Sequence, residues 1–205
     1  TKSFTSQMLC IVLIALKIME NTNPQEALKY KDSISKLPQV AQNALEKRSE
    51  VVEFVKEFVK KEIIVAVGEG LSYSIAKEAS LKIKETSYKN IYAVIFGEFM
   101  HGHCAVFNNE KSMFICMSAG KMSERTVHNI ANLISDYNPT IVVIGEKDDR
   151  VHADFHINTQ SDDELQQLFA NVMVAQLIAL ETATKLERNV DNPIGLHKVV
   201  VDKTI

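Results

Sequence analysis

Four short apolar runs, each closed by a glycine, constrain the fold of this chain more than any other feature. They are Ile63-Ile-Val-Ala-Val67 before Gly68-Glu-Gly70, Ile91-Tyr-Ala-Val-Ile95 before Gly97, Ser112-Met-Phe-Ile-Cys-Met117 before Ala119-Gly120, and Thr140-Ile-Val-Val-Ile144 before Gly145. Near-continuous apolar runs rich in β-branched residues, rather than alternating ones, predict strands buried on both faces. A weaker, more polar strand is predicted at Asp154-Phe-His-Ile157. Between the runs the apolar period changes to that of a helix, over Ser74 to Ser87, Ser123 to Ser135 and about Asp162 to Leu186, the last capped by Asp163 or Ser161. Strands alternating with helices predict an α/β fold, a three-layer αβα sandwich around a parallel sheet. Ligands of such sheets sit at the carboxyl ends of the strands, near the topological switch point. That directs attention to the turns at 68–72, 96–101, 118–120 and 145–146.

The front of the chain reads differently. Met8 to Leu16 is uninterrupted apolar sequence that stops at Lys17, about half the length of a membrane span. With no basic segment or small-residue cleavage site beside it, it predicts a buried helix over 4–20 and no membrane association. Asn23-Pro24 is a stop signal. Val40, Ala44, Val51, Phe54, Val55 and Phe58 then recur at helical spacing, predicting one long amphipathic helix over 37–61. The tail from Asn189 to Ile205 is too irregular for a helix. These shifts divide the chain into a helical lead-in, 1–58, and an α/β domain, 59–205, with a C-terminal loop at 187–205. At 205 residues and 46% hydrophobic the chain can bury one substantial core. Its net charge of −3, with both signs mixed, gives no electrostatic footprint for nucleic acid. Cys10, Cys104 and Cys116, odd in number and set among apolar neighbours, predict reduced, packed thiols in a cytoplasmic protein. Thr1 stands where an initiator methionine would, as in a piece of a longer protein.

Three stretches can carry chemistry. Gly68-Glu-Gly-Leu-Ser-Tyr-Ser74 is a Gly-rich strand-to-helix turn, equally well a plain helix start or a phosphate cradle; Glu69 would repel a phosphate. On the helix that follows, Glu78, Lys82 and Glu85 flank the apolar face formed by Ile75, Ala76, Ala79 and Ile83. Such spacing fits an i, i+4 ion pair at a helix margin, worth a few tenths of a kcal/mol. It equally fits a partly buried carboxylate whose lysine neighbour sets its charge, suited to general-base work. Gly97-Glu-Phe-Met-His101-Gly-His103 holds a His-x-His pair without the further ligands a metal needs, so a single histidine acting as acid or base is the better reading. No metal and no cofactor are called for.

Together these stretches carry a resemblance. Val67-Gly-Glu-Gly, then Ile75-Ala-x-Glu78-Ala-x-Leu81-Lys82-x-Lys84-Glu85-Thr-Ser-Tyr88, then Gly97-Glu-x-x-His101-Gly resemble the sugar isomerase (SIS) domain family. More narrowly they are similar to the second SIS half of the glucosamine-6-phosphate synthases and their glutaminase-less relatives, the fructosamine-phosphate deglycases. Thr1-Lys-Ser-Phe-Thr-Ser-Gln7 resembles the segment closing the first SIS half, and Asn189-Val-Asp-Asn-Pro193-x-x-Leu196-x-Lys198 resembles the C-terminal loop. The resemblance implies flavodoxin-like strand order, a sugar-phosphate substrate and a homodimer with a site shared between subunits. It implies Glu85 as the base moving a proton between C1 and C2, His101 as the ring-opening histidine given by the neighbouring subunit, and Lys198 as the lysine of the closing loop. Lys82, Ser72 and His197 would contact the substrate, with Glu78 tuning the base from behind. His103 replaces the family's frequent proline, and the tail after Lys198 is closer to that of the deglycases. The implied function is a phosphosugar isomerase or deglycase. The alternative is a non-catalytic SIS module that senses a phosphosugar.

Overall fold

The computed structural model describes residues 2–107, 111–159 and 161–196. Helices α1 (Lys2–Thr22), α2 (Pro24–Ser35), α3 (Leu37–Glu46) and α4 (Arg48–Phe58) come first. Then follow β1 (Ile63–Gly68), α5 (Leu71–Ser87), β2 (Ile91–Ile95), the short α6 (Phe96–Phe99) and β3 (Ser112–Ser118). The described chain continues through α7 (Glu124–Tyr137), β4 (Thr140–Gly145), β5 (Phe155–Ile157) and α8 (Glu164–Lys185). The strands form one parallel sheet in the order β2-β1-β3-β4-β5. The predicted α/β sandwich and flavodoxin-like order are therefore observed.

The period-two alternation of the strands divides the core between the two faces. Ile64, Ala66, Ile115 and Val142 meet α4, α5 and α8 on one face, through Phe54, Phe58, Ala79, Ile83, Val174 and Ile178. Val65, Val67, Cys116 and Val143 meet α6 and α7 on the other, where Phe96, Phe99, Phe107 and Phe114 form an aromatic cluster with ring centroids 5.1–6.3 Å apart. Two glycines allow close passage at the strand ends. A Cβ on Gly68 would lie 2.4 Å from the Ser72 carbonyl carbon, and one on Gly145 would lie 1.8 Å from the Ser118 oxygen. Asp163 caps α8, its side chain accepting from the Gln166 amide at 2.9 Å.

The helical front differs from expectation in three ways. Pro24 opens α2 instead of only ending α1, because its fixed φ and missing amide suit a first helical turn. The long amphipathic helix over 37–61 is two helices broken at Lys47, so that α3 and α4 both press on α8. And α1, predicted to be buried, buries only Leu16; Ile11, Ile14 and Ile18 are more than 60% exposed, and Cys10 is exposed as well. The helix continues through Lys17 to Thr22 and is long and apolar enough to cross a bilayer by length and composition, beyond what the uninterrupted apolar run implied.

Candidate functional site

Helix α5 places the predicted residues, and its direction separates them. It leaves the carboxyl end of β1 at Leu71 and delivers the chain to the start of β2, so its last turns lie at the amino-terminal edge of the sheet. Ser72 is in the first turn and Glu85 in the last, roughly 20 Å apart at the rise of an α-helix. Strand β2 then returns the chain to the opposite edge, where His101 is exposed beyond α6. Within one chain, Glu85 and His101 stand at opposite ends of the sheet.

Glu78, Lys82 and Glu85 are brought together. Lys82 Nζ lies 2.7 Å from Glu85 Oε2 and 3.9 Å from Glu78 Oε1. Glu78 is no margin residue: its side chain is 6% exposed and its Oε1 has no hydrogen-bond partner. Burial pushes the Glu78 carboxyl above the usual carboxylate range, with the Glu85 charge adding to the effect and the Lys82 ammonium opposing it. One lysine therefore serves two carboxylates in different surroundings, one buried and one about a third exposed.

Lys82 and Thr86 line a cavity of about 320 Å³ together with Leu45 of α3, Gln176 and Leu180 of α8, and Val190 and Asp191 of the segment after α8. Thr86 Oγ1 donates to the Lys82 carbonyl at 2.8 Å and approaches the Ala179 carbonyl at 3.2 Å, fixing α5 against α8. Tyr88 ends α5 in the left-handed region, at φ 61°. Its hydroxyl accepts from the Ile194 amide at 2.6 Å, and Arg188 stacks over its ring at 5.4 Å. The C-terminal segment is thereby fastened beside the Glu85 end of α5. His197 and Lys198 follow it in sequence but lie outside the described residues.

Thr86, Gln176, Asp191 and Tyr88 have no place among the sequence-predicted residues. The right-handed β–α–β connection was the available signal: it obliges α5 to end away from the strand-end turns, next to whatever follows an antiparallel α8. Ser72 instead lines a second cavity, at the carboxyl ends of β1 and β3. No group of three His, Cys, Asp or Glu among the described residues is placed to hold a metal.

Residues 57–186 match the SIS domain family. The chain is a member of that family. Glutamine–fructose-6-phosphate aminotransferase [isomerizing] of Methanosarcina acetivorans is 27% identical over 205 residues, covering 98% of this chain and 33% of the relative. The chain thus spans about a third of the length of the relatives it matches. Among solved structures, the C-terminal domain of glucosamine-fructose-6-phosphate aminotransferase from Francisella tularensis aligns with a TM-score of 0.85 at 23% identity, over 94% of this chain and 56% of that one. Glucosamine-6-phosphate deaminase from Thermotoga maritima aligns with a TM-score of 0.70 at 21% identity, over 98% of this chain and 56% of that one. These likenesses are of fold. The SIS domain is here carried by a five-stranded sheet whose α5 bears the Glu78–Lys82–Glu85 stripe.

Proposed function

We propose that the chain belongs to a phosphosugar isomerase or deglycase in which Glu85 moves a proton between C1 and C2 of an open-chain ketose or amino-sugar 6-phosphate. The observation that carries this reading is the Lys82-bridged pair of carboxylates beside the α5–α8 cavity. An aldose–ketose shift needs one carboxylate to take a proton from carbon and return it to the neighbouring carbon. It also needs a cation close to the enediolate that forms between the two steps. Glu85 is partly exposed and held 2.7 Å from the lysine lining the cavity, so it can reach a substrate there. Glu78 is too buried to do so; its unpaired carboxyl acts on Glu85 through Lys82.

In this reading Lys82 and the C-terminal residues His197 and Lys198 contact the sugar, the latter two brought close by the Tyr88–Ile194 bond. His101 would come from a second copy of the chain, which the opposite placement of Glu85 and His101 in one copy supports. Residues 1–58 are the helical lead-in from a preceding SIS half, and 59–205 the domain that carries the proton transfer.

The test is solvent deuterium incorporation at C1 and C2 of fructose 6-phosphate and glucosamine 6-phosphate by the full-length protein. Glu85→Gln is expected to slow incorporation by about a hundred- to ten-thousand-fold while sugar-phosphate binding persists. Incorporation at the unsubstituted rate removes Glu85 as the base. Binding by the unsubstituted protein with no incorporation into any of these sugars would favour the phosphosugar-sensing alternative.

A further inference from the structure

The sheet has a second place for a small molecule. Connections from β1 lead to β2 on one side and β3 lies on the other, so the crevice between the carboxyl ends of β1 and β3 is the topological switch point. Open α/β sheets hold ligands at that point. A cavity of about 270 Å³ opens there, lined by Glu69, Ser72, Ser118, Lys121, Thr126 and Glu164 among others. It falls just below the roughly 300–1,000 Å³ of drug-sized sites and suits a single sugar ring.

Ser72 points to an occupant. It is only 5% exposed, it lines the cavity, and its hydroxyl bonds no described residue. A hydroxyl buried in this way costs about 1–3 kcal/mol unless something in the cavity bonds it. The neighbouring hydroxyls are already oriented: Ser118 Oγ donates to the Gly120 carbonyl at 2.6 Å, and Thr126 Oγ1 lies 2.9 Å from Ser123 Oγ.

The expected tenant of a Gly-rich turn is a phosphate, and this cavity is built against one. The amides of Ser72 and Tyr73 are taken by the Glu69 and Gly70 carbonyls, at 3.0 and 3.3 Å. At the start of α7, Ser123 takes the Thr126 amide with its side chain and the Val127 amide with its carbonyl. The charged lining is Glu69 and Glu164 against Lys121, and none of the three forms an ion pair with a described residue. The balance is negative, which repels phosphate and attracts an ammonium group.

We propose that the switch-point cavity binds an unphosphorylated amino sugar, its ammonium answering Glu69 and Glu164 and its hydroxyls meeting Ser72, Ser118 and Thr126. This site is independent of the Glu85 chemistry, which lies at the other end of α5, so either can fail without the other.

The probe is glucosamine, titrated into the full ¹⁵N-labelled chain beside glucose, N-acetylglucosamine and glucose 6-phosphate. Glucosamine is expected to bind about tenfold or more tighter than glucose, the effect of one charge-assisted hydrogen bond, shifting amides at 69–72 and 118–126. N-acetylglucosamine, which lacks the charge, should fall to the level of glucose or below. Ser72→Ala should weaken glucosamine binding without lowering the melting temperature, because the hydroxyl bonds nothing in the folded chain. Glu69→Gln combined with Glu164→Gln should abolish the preference over glucose. Equal affinity for glucose and glucosamine, tighter binding of glucose 6-phosphate, or shifts confined to 82–88 would each overturn the proposal.

Discussion

The two ends of α5 are the same helix put to different uses. At its start the helix is locked to the sheet by backbone: Gly68 passes so close to Ser72 that no side chain fits, and the first amides bond to the turn itself. At its end it is held by side chains: Thr86 reaches the Ala179 carbonyl, Lys82 bridges two glutamates, and Tyr88 grips the Ile194 amide. The first end is rigid and carries an unbonded hydroxyl in a negative cavity. The second carries titratable groups whose charges depend on one another. The difference explains why a strand-end position is the usual place for a ligand and yet not the place of the glutamate stripe. A helix that follows a strand must end at the opposite edge, so residues late in α5 can only serve that edge.

The largest effect on this comparison should come from Gly68→Ala. With a Cβ forced to 2.4 Å from the Ser72 backbone, the strand–helix junction must shift, at a cost of about 1–3 kcal/mol. Thermal unfolding should register the loss. Amide shifts should spread over the first turns of α5 and spare Thr86 and Tyr88.

How much of this was legible in the sequence follows from the same contrast. Strands such as Ile63 to Val67 and Thr140 to Ile144 announce themselves, because β-branched runs ended by glycine have few other uses, and their order in the chain fixed the sandwich. Glu78 was not legible as a buried group, since its angle on the helix puts it at the margin of the apolar stripe; only α8 lying across that margin covers it. The break at Lys47 has neither glycine nor proline to mark it, and the shape of α8 sets it. The exposure of α1 is a tertiary fact that an apolar run cannot announce.

A smaller effect is expected for Glu78→Gln. Because burial raises the folded-state affinity of this carboxyl for its proton above the unfolded value of 4.5, ionising it costs stability as the pH climbs through the raised value. The amide mimics the protonated form, so the variant should melt above the parent at neutral pH. The gain should shrink toward zero below pH 4.5, where the carboxyl is protonated in both states. A gain independent of pH would mean that Glu78 is not strained by its charge. The smallest effect belongs to Tyr88→Phe, which removes one exposed hydrogen bond worth about 0.5–1.5 kcal/mol. Melting should barely change, while hydrogen exchange at the Ile194 amide should speed up by about tenfold.

The central claim is that the reacting sugar phosphate sits at the Glu85 end of α5 and not at the strand-end cavity. Amide chemical-shift mapping of the full-length protein with fructose 6-phosphate tests it directly. The account predicts shifts at Lys82 to Tyr88, at Ala179 and Leu180 of α8, and at Asp191. Shifts confined to Glu69 through Ser72 and Ser118 through Thr126 would contradict it.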